Sequence, residues 1–336
     1  MARPTMHDVA RHAGVSQKTV SNVLNGYPYI RAETRDRVLV AVDELGYQLN
    51  VSARILRTGR SGLIGLAVPD VQLPYFGELA ASVIAAAEGH DWRVLIEQTG
   101  GLRHRELEVL AGSDQPLIEG MIFVPTTIGP ADVTHLTDRH PFVLLNEPIF
   151  GDAADYVTMQ HYAGARAATE HLISTGRRAI AVIGVHPEET EGSAADRLRG
   201  YRDALGAAGL QADDRRVFAA GLWHLREGAE AARRMLAADI EVDGVFCFND
   251  TLALGALHAL QSAGRSVPAD IGLIGFDDIQ ESAYSTPSLS TVSPGREQMA
   301  QVAVDMLASR VRGGSVPEVE TAGFHLIVRE STAPLR

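Results

Sequence analysis

Residues 5–26, TMHDVARHAGVSQKTVSNVLNG, constrain this chain more than any other stretch. Thr5 suits the cap of a first helix, with Asp8 three residues on as its capping-box partner. Val9, Ala10 and Ala13 recur on one face, and Gly14 supplies the left-handed residue that ends the helix. Ser16 caps the next helix, in which Val20, Val23 and Leu24 point inward and Gln17, Lys18, Ser21 and Asn22 point out, before Gly26 closes it. Two short helices held at a steep angle form a helix-turn-helix, whose second helix fits a DNA major groove. A helical hairpin with a polar outer face has the same pattern. The exposed start of the second helix favours the DNA reading, because it carries long donor side chains, among them Lys18, the only lysine in the chain.

The run DVARHAGVSQKTVSNVLNG resembles the N-terminus of the lactose-repressor/galactose-repressor (LacI/GalR) family of bacterial transcription regulators, and the likeness covers essentially the whole chain. The resemblance implies a small all-α head at 1–48, a hinge helix or linker at 49–60, and a two-lobed effector-binding and dimerisation domain at 61–336. That domain is an α/β, periplasmic-binding-protein-like body of two parallel-sheet lobes. Its N-lobe is expected at about 61–160 and 291–321, and its C-lobe at about 161–290 and 322–336.

A chain of 336 residues with 46% hydrophobic content has room for two or three domains with real cores. Its net charge of −12 argues against DNA binding only if the charge is spread evenly. It is not: residues 1–60 hold nine Arg/Lys and five Asp/Glu, so the head carries +4 and the remainder −16. A basic head meets phosphates, and an acidic body is pushed away from them. No apolar run reaches membrane-spanning length, and the polar first residues already carry the motif, so a cytoplasmic protein without membrane contact is expected. The single Cys247 excludes an internal disulfide framework and a cysteine zinc cluster. Neither a metal nor a cofactor is expected.

A third helix runs from about Ala32 to Leu45, with Val38, Val42 and Leu45 as its apolar stripe and Arg31 where a Ser or Thr cap belongs. Residues 50–59, NVSARILRTG, can form about two turns between Asn50 and Gly59. So short a helix is marginal alone, and the residues read equally as a linker. The resemblance implies a hinge helix that clasps the minor groove in a dimer. There Asn50 caps, Ala53 allows close approach, Arg54 meets backbone or partner, and Leu56 wedges into a base step. Leu49 stands where the family usually has proline.

From Gly62 the chain alternates short apolar runs with amphipathic helices, which means parallel sheets flanked by helices. One series runs to about 148, including a helix over 130–139, and a second from 164 to 278. Strand 289–292, helix 294–312 and a single strand over 319–330 follow, with crossings between lobes near 158–162, 288–293 and 320–324. No heptad tail follows Arg329, so a dimer is expected and not a tetramer.

Ligands gather at the carboxyl ends of parallel strands. The first series places Asp70, Tyr75, Phe76, Glu97–Gln98, Thr126–Thr127 and Asn146 there; the second places Arg197, Trp223, Asn249–Asp250 and Asp277–Asp278. Aromatic faces with Asn, Asp and Arg suit a polyhydroxylated ring. Asp250 and Asp278 read equally as helix caps, Tyr75 and Phe76 as core, Trp223 as lobe packing, and Arg197 as a surface arginine. The resemblance implies effector contact for Arg197 in RLRGY, Asn249 in FCFNDTLALG, Asp277 in GFDD, and Trp223. Asn146 falls where many members carry Asp, and Gln160–His161 replace the Asp-Asn that many relatives show.

These readings describe a repressor switched by a small molecule, expected to be a sugar, with a nucleoside or another metabolite as the alternative. Gln17, Lys18 and Asn22 are expected to read base edges of a palindromic duplex-DNA operator, Ser16, Thr19, Ser21, Asn25 and Thr34 to hold phosphates, and Thr5 to lie among the DNA-binding residues. A two-lobed receptor without DNA binding is a rival that the basic head disfavours. An enzyme is disfavoured because GxxxxGK[ST], GxSxG, HExxH and a glycine fingerprint after the first strand are all missing.

Overall fold

A computed structural model describes residues 4–24, 27–47, 61–112, 117–135, 141–146, 154–314 and 318–333, without the side chains of Val133 and Asn146. The expected hinge at 49–60, with Asn50, Ala53, Arg54 and Leu56, lies outside the described residues, as does Asn25. The chain divides into two compact units, residues 1–61 and 62–336.

The head is three helices: α1 (Met6–Ala13), α2 (Gln17–Leu24) and α3 (Ala32–Glu44). Thr5 and Asp8 form the reciprocal capping box, and Gly14 turns the chain with φ of 65°. Ser16 Oγ accepts from the Thr19 N–H at 3.1 Å and so caps α2. Arg31 makes no side-chain cap on α3. Val9, Ala13, Val20, Val23, Val38 and Ala41 fill the core, which Tyr47 closes; Val42, expected inside, packs only on its margin.

In the body, β1 (Leu63–Val68), β2 (Arg93–Gln98), β3 (Met121–Phe123), β4 (Phe142–Asn146) and β5 (Asp155–Thr158) alternate with α4 (Pro74–Glu88) and α5 (Arg103–Leu110). The expected helix at 130–139 is a 3₁₀ turn over Pro130–His135, pinned where Asp132 accepts from the Gly129 N–H and pairs with Arg103. The second lobe follows as α6 (His161–Ser174), β6 (Ile180–Val185), α7 (Ser193–Ala207), β7 (Val217–Ala219), α8 (Leu225–Ala237), β8 (Gly244–Cys247), α9 (Asp250–Ser262), β9 (Gly272–Ile274) and α10 (Gln280–Tyr284). Its strands lie in the order β7-β6-β8-β9, all parallel.

The chain then makes β10 (Thr291–Ser293), α11 (Arg296–Val311), β11 (Val319–Thr321) and β12 (His325–Ile327). Helix α11 packs on α4, β4 and β5, and β11 joins the first sheet beside β5, giving the order β11-β5-β4-β3-β1-β2. Strand β12 pairs antiparallel with β10, which a bridge between Ile274 and Ser290 sets beside β9. The single strand expected over 319–330 is therefore two strands in two sheets. Ala322 still donates to the Thr158 carbonyl of the first sheet, whereas Gly323 donates to the Gln298 side chain as the chain leaves. Alternation of side chains cannot report that switch, because both halves are extended.

Candidate functional site

On the head, about 100° of rotation per residue sets Lys18 and Asn22 opposite Val20 and Val23. Ser16, Gln17 and Lys18 are exposed, and Thr19, Asn22 and Thr34 half-buried. Ser21, expected on the outer face, is buried: it lies on the shoulder of the apolar stripe, and its short side chain does not reach past its neighbours. Thr5 is exposed, but its hydroxyl is committed to Asp8 at 2.6 Å. Gln17 Nε2 lies 3.0 Å from His7 Nδ1 on α1.

In the body, Arg197 on α7 is 3% exposed. It donates to the Phe248 carbonyl and, through Nη2, to His161 Nδ1 at 3.2 Å, and its Nη2 lies 4.0 Å from Asp277 Oδ1. The guanidinium stands 3.9 Å from the Phe276 ring centroid and 5.0 Å from that of Trp223. An arginine never accepts, so His161 Nδ1 accepts and the imidazole proton rests on Nε2. Burial first, then the Arg197 charge, hold the His161 pKa well below the usual imidazole range.

Trp223 is half-buried, its Nε1 donating to the Gly184 carbonyl at 3.0 Å. Asn249 caps α9 by accepting from the Leu252 N–H at 2.8 Å and ties Trp223 down by donating to its carbonyl. Asp250 is no cap: its carboxyl accepts from Thr291 Oγ1, Ser282 Oγ and the Ile279 N–H. It thereby fastens α9 to the chain entering β10.

Asp277 is 6% exposed and has φ of 113°, a strained conformation for a residue with a side chain. Burial pushes its carboxyl up to about 7 against the pull of Arg197 and Arg296, with Glu78 adding to the rise. Tyr75 on α4 is buried near these groups; desolvation, then Asp277, push its phenol up. Among the described residues its hydroxyl has no hydrogen-bond partner. Phe76, half-buried, meets Tyr75 edge-on with centroids 5.2 Å apart.

The other expected residues are engaged differently. Asp70 accepts from the Gln72 N–H at 2.9 Å and reaches across to His224, 3.2 Å away in the second lobe. Asp278 pairs with Arg329 at 2.7 Å. The Thr126 and Thr127 hydroxyls donate to buried Glu106, and Gln98 accepts from the Val71 N–H. Asn146 ends β4, its side chain outside the described set. Sequence reasoning missed the contacts of His161, Phe276, His224 and Arg296. Phe276 and His224 were signalled only by their neighbours Asp277 and Trp223, and His161 by the Gln160–His161 pair that departs from the family pattern. Among the described residues no group of three His, Cys, Asp or Glu could hold a metal ion, and no helix is long and apolar enough to cross a membrane.

Residues 5–50 match the model for bacterial regulatory proteins of the lacI family, and residues 169–332 match that for a periplasmic binding protein-like domain. The chain is 32% identical over 346 residues to the HTH-type transcriptional regulator CelR of Thermobifida fusca, covering 98% of each protein. A solved complex of the transcriptional regulator CelR with cellobiose is 30% identical, with a TM-score of 0.71 over 98% of this chain and 100% of that one. The Lac repressor dimer bound to operator and the anti-inducer ONPF is 26% identical, with a TM-score of 0.82 over 99% of this chain and 100% of that one.

Proposed function

This chain belongs to the lacI family of bacterial regulatory proteins, and from that premise we propose that it represses transcription as a cytoplasmic homodimer released or recruited by a sugar. It is a DNA-binding transcriptional regulator, and the finer reading concerns its effector. The observation that carries the sugar is Tyr75, a buried hydroxyl without a described partner among Asp277, Arg197 and Arg296. A buried polar atom calls for a partner, and a ring hydroxyl between Tyr75 and Asp277 provides one. Trp223 offers a face for the apolar side of the ring.

A second copy is supported by Ile84 on α4 and by Leu95 and Ile96 on the edge strand β2, which are 41%, 41% and 47% exposed. In a dimer two copies of α2 enter successive major grooves roughly 34–36 Å apart, so the operator is a palindrome. Calorimetric titration with a sugar panel that includes cellobiose and ribose tests the effector. Binding that weakens in Tyr75→Phe is expected. A full sugar panel without binding, alongside a nucleoside that does bind, would overturn the sugar reading.

A further inference from the structure

Three side chains of α2 are expected to meet base edges, and they are not alike. Among the described residues, the side chains of Lys18 and Asn22 make no hydrogen bond or ion pair that would fix them in advance. Gln17 is held beforehand: its Nε2 lies 3.0 Å from Nδ1 of His7, the second residue of α1. His7 has a firm base, since Thr5 and Asp8 on either side of it form the capping box that starts the helix. The Thr5 hydroxyl and Asp8 carboxylate engage each other, leaving the imidazole to face α2.

With Nε2 of the Gln17 amide facing the ring, the donor and acceptor of the pair are fixed. An amide nitrogen carries two hydrogens and does not accept, so His7 Nδ1 accepts and its ring proton sits on Nε2. The amide hydrogen taken by His7 must be the one pointing away from Gln17 Oε1, if Oε1 and the other hydrogen are to stay side by side. Such an acceptor–donor edge matches N6–H and N7 of adenine, the bidentate pair that an amide makes in the major groove. With the amide turned over, Oε1 would accept from a protonated Nδ1 and the outer edge would present donor and acceptor in the opposite order.

We propose that His7 is a positioning residue for base readout, fixing the Gln17 amide so that it selects adenine at one position of each half-site. His7 touches no base itself, and its role rests on the DNA-binding reading. Fixing one rotamer before binding raises discrimination more than it raises affinity for arbitrary duplex.

The test selects binding sites from a random duplex library with the full-length protein and its variants. Wild type should enrich a palindrome with adenine at one position per half-site, and Gln17→Ala should lose preference at that position alone. His7→Ala should relax the same position, cutting the preference for adenine by about fivefold or more, within the range one bidentate pair supplies. His7→Asn, whose Oδ1 stands where Nδ1 stood, should restore it. A helix-content check by circular dichroism separates lost positioning from a lost fold, and His7→Gln provides a second variant without the acceptor at that place. An unchanged preference in His7→Ala and His7→Gln overturns the proposal while leaving DNA binding intact. Failure of the wild type to enrich any site overturns the DNA-binding reading, and the proposal with it.

Discussion

The Arg197 guanidinium lies over the ring of Phe276 at 3.9 Å, clamped at its edge by His161 Nδ1 at 3.2 Å. A fork of planar donors on an aromatic face holds one orientation, with the Asp277 carboxyl 4.0 Å from its Nη2. Lysine offers a point charge on a flexible stem and cannot reproduce that arrangement. Arg197→Lys is therefore expected to weaken effector binding roughly 10- to 100-fold, the loss of one hydrogen bond to a charged group. Operator affinity without effector should stay within about twofold, an expectation that gel-shift titration checks directly.

Asp277 predicts two pH dependences of opposite sign. Its folded pKa of about 7 lies above the ordinary carboxyl value of 3.8, so between these values the folded protein holds a proton that the unfolded chain has released. Its contribution to stability is thus fully present below about pH 4 and lost as pH rises through about 7. Effector binding that uses the ionised carboxylate should instead strengthen across about pH 6–8. Urea unfolding and calorimetric titration over that range, repeated with Asp277→Asn, should show both slopes disappear in the variant. Equal slopes in the two proteins would assign them to other groups.

Helices α8 and α9 touch backbone to backbone, because Gly228 and Gly255 have no side chains. A Cβ at Gly255 would run into the Leu225 carbonyl oxygen, and one at Gly228 into that of Leu252. Backbone cannot swing aside as a side chain does. Gly255→Ala should lower unfolding stability by about 3 kcal/mol, read from denaturant curves. Gly206, where an added methyl would meet nothing within 4 Å, serves as the tolerant control for Gly→Ala.

Ile96 tests the dimer. A charge placed on an exposed apolar edge strand blocks strand-edge association with little effect on the monomer fold. Ile96→Asp is expected to shift sedimentation from dimer to monomer and to weaken palindrome binding more than half-site binding. A variant that sediments as wild type would move the interface elsewhere.

Within the head, the sequence alone determined nearly everything. The Thr5–Asp8 box, the Gly14 turn and the Ser16 cap act over three or four residues, so residue type and spacing specify them. Ser21 escaped because, on the shoulder of the stripe, spacing alone does not settle whether a residue is covered. In the body, motifs marked Arg197, Asn249 and Asp277, and strand–helix alternation marked two parallel sheets. Only the tertiary structure decided that His161 and Phe276 would grip Arg197, that Asp70 would reach His224, and that residues 319–327 would divide between two sheets. Those pairings join residues far apart in the chain, and local periodicity carries no information about which distant surface each one meets.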